Sequence, residues 1–231
     1  MRSTLLTLVH ITDSGFPSGG FGHSWGLEYA IGKGWIQKVA ELVSWSTDAL
    51  LSNLITMEGR GLIQAYKLGK EHKYAEILLV DEELAAMRPS LYQAVGAAQV
   101  GRSFLNNLAL YYGDTEFIEM NTLVKQETIN RSTVIQQPVI WGAACGWLGI
   151  PDYEALEVHL FNTLRQWANV AMRTIPLGQT ESNRYLVYMM KLLKNTDFYE
   201  IALKNQLEGI CPGMDIAAMG HENLEAKYFR T

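Results

Sequence analysis

Apolar residues in this chain recur at three- and four-residue steps, the spacing that gathers them on one face of a helix. From Val39 the positions Leu42, Val43, Trp45, Ala49, Leu50 and Leu54 follow this rule. Gly59 and Gly61 interrupt it and mark a kink or a break before Leu62 to Leu68. A second long segment opens at Pro89, which has no N–H to leave unpaired in a first turn, and stops at Gly113-Asp114. Its small residues Ala94, Ala97, Ala98 and Gly101 let another element come close, so the segment belongs at the centre of a bundle. A third helix is expected after Pro151-Asp152, running to about Ile175, where Pro176 ends it. Leu186 to Leu193 resumes the pattern. Asp81-Glu82-Glu83 reads as a helix start, where acidic side chains favour the dipole. No stretch alternates apolar and polar residues between hairpin turns, so no sheet is expected. The pattern predicts one all-α domain over residues 1–231, a bundle of about eight to ten helices with a less regular tail from Gly209 to Thr231.

Composition narrows the function classes. Of the 231 residues 48% are hydrophobic, enough for a packed core, and the net charge is −5 with both signs dispersed. No block of Lys or Arg provides a footprint for nucleic acid or an anionic membrane. Met1 to His10 lacks a cleavable secretory pattern, and the weakly polar run Pro138 to Pro151 is shorter than the ~20 residues that span a bilayer. The cysteines, Cys145 and Cys211, are far apart, as in a cytoplasmic protein with reduced thiols.

Candidate chemistry centres on Asp13 to Glu28, a loop of glycines, one proline and three hydroxyl side chains that enters a helix. Such a junction exposes backbone N–H groups able to hold an anion or dock a partner chain. Gly26 to Gly34 misses the P-loop spacing and puts Gly34 where a hydroxyl must reach magnesium, so the glycines read instead as the end of a short helix from Ser24 to Ile31. His10, His23, His72, His159 and His221 never fall at ligand spacing, and Cys211 stands alone, so no metal site or cofactor is expected. Ser18 and Ser24 sit in no nucleophile elbow. An enzyme built on the loop requires a deep polar pocket lined by His23 and Ser24. The tail, from Met214 to His221-Glu222 and on to Lys227-Tyr228-Phe229-Arg230, has the mixed composition of an anchor for a partner's groove. Fraying of a chain end is the equal alternative.

Four stretches in order carry a resemblance. The first holds Pro17, Gly19, Gly20, Ser24, Gly26, Leu27 and Glu28; the second is Pro138 to Ala144 with Leu148-Gly149-Ile150. The third is Ala171 to Gln179, and the fourth Met214 to Ala217 with His221-Glu222 and Phe229-Arg230. Together they resemble the UreF urease accessory proteins, with departures at Gln137, at Lys227-Tyr228 and in the helix after Pro89. The resemblance implies an all-α, homodimeric, non-enzymatic assembly factor for nickel insertion into apo-urease. It also implies a complex with a UreD/UreH-type accessory protein and the GTPase UreG. Carried over, Phe21, His23, Ser24, Trp25, Glu28, Asp215, His221, Glu222, Phe229 and Arg230 become partner-binding candidates. An activator of UreG, with Arg173 or Arg230 as an arginine finger, is the alternative. In either case the tail is expected to be partly disordered alone and to bury Phe229 on binding UreD.

Overall fold

A computed structural model describes residues 4–204 and 206–231, so the reading of Met1 to His10 lies partly outside the described residues. Among the described residues there is no strand, and ten α-helices have seven or more residues. In order they are α1 (Thr4–Thr12), the short α2 (Leu27–Gly32), α3 (Val39–Ala49), α4 (Arg60–Lys70), α5 (Tyr74–Ala86) and α6 (Leu91–Tyr111). Then follow α7 (Thr115–Glu127), α8 (Gln137–Leu148), α9 (Asp152–Thr174), α10 (Gln179–Lys194), the short α11 (Phe198–Ala202) and α12 (Pro212–His221).

Close approach sets the centre of the bundle. Helix α8 is apolar on every side and is buried from Pro138 to Gly146, with α4 crossing its face. At the crossing a Cβ on Gly142 would stand 2.1 Å from the Leu62 carbonyl oxygen, so only glycine fits. The expectation for the helix after Pro89 holds in the same terms. Ser90 caps α6 by accepting from the Gln93 amide, and a Cβ on Gly101 would lie 2.0 Å from the Ile135 oxygen. Small residues there let the chain entering α8 lie against α6.

Gly59 and Gly61 do not break the helix that begins at Val39. Helices α3 and α4 run on through a π-helical stretch, Leu50–Gly59, whose wider turn is rare and often marks a functional site. Carbonyls of Ser52 and Thr56 in this stretch also accept from the amides of Ile210 and Glu208, tying down the chain ahead of α12. Gly209 makes this possible, since a Cβ there would be 3.0 Å from that of Met57.

Asp81 also departs from expectation. Helix α5 starts at Tyr74, which places Asp81 mid-helix, and the carboxylate is fully buried. It accepts from the amides of Ile135 and Gln136 and pairs with Arg131 at 3.2 Å, so it caps the entry to α8 from a neighbouring helix. Burial lifts its pKa to about 6 against those donors.

Candidate interaction site

The glycine-rich loop and the tail meet in space. Gly19 and Gly26 adopt left-handed backbone, φ +78° and +87°, and the chain turns at each. Gly26 also lies under α12, where a Cβ would be 2.8 Å from the Ala218 nitrogen. Between them Trp25 is left-handed as well, at φ +54°, an uncommon state for a bulky residue. Two interactions hold it there. Its ring stacks on His23 with centroids 4.9 Å apart, and its amide, beside that of Ser24, donates to the main-chain oxygen of Thr231.

Helix α2 then delivers Glu28 into the same junction. The Glu28 carboxylate accepts from the Tyr228 amide at 2.6 Å, from the Phe229 amide at 3.2 Å, and meets Nε2 of His221 at 3.0 Å. Three donors compensate an anion that is only 6% exposed. Burial lowers the pKa of His221, with Glu28 pulling the other way. The neutral imidazole therefore gives its Nε2 proton to Glu28 and leaves Nδ1 bare, buried without a partner. Tyr92 lies near-parallel to the same imidazole and donates its hydroxyl to the Arg230 oxygen. Ser24 Oγ donates to Thr231 at 2.6 Å, and His23 Nδ1 is hydrogen-bonded to Thr231 Oγ1 at 2.7 Å. Burial, reinforced by Arg230 and His221, pushes the His23 pKa down to about 4.

The ten candidates thus divide. His23, Ser24, Glu28, His221 and Phe229 are buried and spent on one another or on the tail. Phe21, Trp25 and Asp215 are half-buried, and of the ten only Glu222 and Arg230 are exposed. Phe21 lies under the Arg165 guanidinium, 5.7 Å from its ring centre, and Trp25 Nε1 donates to Gln166. Asp215 sits in the first turn of α12 with its pKa raised by burial.

One expectation is overturned here. The tail is not partly disordered: α12 occupies much of it, and Phe229 is 5% exposed within the single chain, beneath the Arg173 guanidinium. An aromatic side chain that can bury itself on its own bundle does not wait for a partner. Nor do His23 and Ser24 line a polar pocket, because Thr231 occupies both. A cavity does open behind the loop, but other residues form it.

The sequence reading missed Thr231, Tyr92, Gln166 and Gly96. Gly96 belongs to the same small-residue stripe of α6, and a Cβ there would sit 2.7 Å from Thr231 Cγ2. The stripe was visible; that the tail would fill it was not. Among the described residues no three His, Cys, Asp or Glu side chains gather as a metal site, and no helix is long and apolar enough to cross a membrane.

Comparisons with known proteins bear on this arrangement. The UreF family model matches residues 36–189, a stretch that contains neither the loop nor the tail. Two relatives align over both. A urease accessory protein UreF of Bacillus sp. (strain TB-90) is 27% identical over 226 residues, covering 97% of this chain and 98% of its own. Another of the same name, from Bradyrhizobium diazoefficiens (strain USDA 110), is 26% identical over 230 residues, covering 99% and 92% respectively. With a family match across most of the helical bundle and relatives aligned nearly end to end, the chain belongs to the UreF family of urease accessory proteins.

Proposed function

We propose that the protein is a non-enzymatic assembly factor for nickel insertion into apo-urease, bridging a UreD/UreH-type protein and the GTPase UreG. The observation that carries this reading is the loop–tail junction. It spends His23, Ser24 and Glu28 on internal hydrogen bonds while leaving Glu222, Tyr228 and Arg230 on the outside. A surface that is rigid beneath and mixed in charge and aromatic character above suits protein recognition better than chemistry. In this reading the partner meets the exposed rim, and the buried side chains hold the rim in shape. The protein works as a homodimer in the cytoplasm.

The test is pull-down of a UreD/UreH-type protein and of UreG by the full chain, with urease nickel content measured in cells lacking the gene and complemented by variants. Arg230→Glu should reduce capture at least tenfold without altering the circular dichroism spectrum. Undiminished capture and normal nickel loading would remove the junction from the interface.

A second reading is supported by Arg173 and Arg230. Both are exposed, and Phe229, next to Arg230 in the chain, lies beneath the Arg173 guanidinium. One of the pair then serves as an arginine finger on UreG. Stimulated GTP turnover abolished by a single Arg→Ala change supports the activator; capture without stimulation supports the scaffold.

A further inference from the structure

We draw no further inference here: the strongest candidate, the cavity behind the glycine-rich loop with Asp13, Glu58, Arg88, His159 and Arg165 in its wall, mixes groups of both signs with further polar side chains, and nothing in the structure fixes the charge or the hydrogen-bonding class of an occupant.

Discussion

Glu28 and His221, 193 residues apart in sequence, lie 3.0 Å apart in a buried junction. The carboxylate also holds two main-chain amides of the tail, so one side chain near the start of the chain organises three groups near its end. The distribution of partners is lopsided, and substitutions should reflect it. Glu28→Ala strands two buried donors and the half-buried Tyr228 amide, at roughly 1–3 kcal/mol for each buried one, and should leave a loss of about 3–4 kcal/mol in urea denaturation. His221→Ala strands only the carboxylate, which keeps two amides, and should cost about half as much. Equal losses from the two would show that the imidazole, not the carboxylate, is the organiser.

Removing Lys227 to Thr231 should destabilise the whole bundle. The deletion exposes what Phe229 covers and removes the partners of Ser24, Trp25 and His23. Losing a buried phenylalanine alone is worth ~3 kcal/mol or more. Differential scanning calorimetry should record a lower Tm for the truncated protein, and an unchanged Tm would show that the tail packs without consequence.

Stability should fall in acid through the histidines of the junction. The folded pKa of His23, about 4, lies below its unfolded value of 6.5, so between those values the unfolded chain binds more protons. The contribution is present above pH 6.5 and is lost as pH drops toward 4, at up to about 3 kcal/mol for a shift of this size. Asp81 acts in the opposite sense. Its folded pKa near 6 exceeds the usual 3.8, so its stabilising effect is complete below pH 3.8 and fades as pH rises through 6. The two partly cancel in the wild type. Asp81→Asn should therefore steepen the loss between pH 6 and 4, and His23→Gln should flatten or reverse it. Denaturant titrations at several pH values measure both slopes.

Gly142→Ala should be among the most damaging single-methyl changes. A Cβ would stand 2.1 Å from a backbone oxygen of α4, which cannot swing aside as a side chain can. Overpacking of this kind costs on the order of 3 kcal/mol. By contrast Gly178→Ala, where nothing lies within 4 Å, should be neutral in the same denaturation assay.

Helices with a steady apolar stripe were legible, and their ends fell near the expected prolines and glycines. Helix α9 begins at Asp152 and ends at Thr174, just before the expected stop at Pro176. The stripe of α6 announced a close approach, which Gly101 and Gly96 make. What stayed hidden depends on partners distant in sequence. Nothing near Asp81 says that its carboxylate caps a helix more than fifty residues later, because a local acidic run looks the same in either role. The π-helical turn leaves no mark in apolar spacing alone. In the candidate site the residue types were legible but not their accessibility: a loop rich in glycine and hydroxyls reads as open until the tail is laid across it. The cavity at Glu58 and His159 escaped for a related reason. Its members come from the π-helical stretch, α9 and the turn after α5, and no spacing links them.

The distance in sequence between Glu28 and His221 also sets a clock for synthesis. At about 5–20 residues per second a ribosome needs roughly 10–40 s to add the stretch between them. Throughout that interval the nascent bundle carries a carboxylate without its donors, and Trp25 has no reason to hold its left-handed backbone. The loop therefore takes up its final form only after residues 221–231 clear the exit tunnel. A partner that reads the closed junction will ignore chains that have not yet laid this segment across the loop, so closing the junction doubles as an inspection of the product.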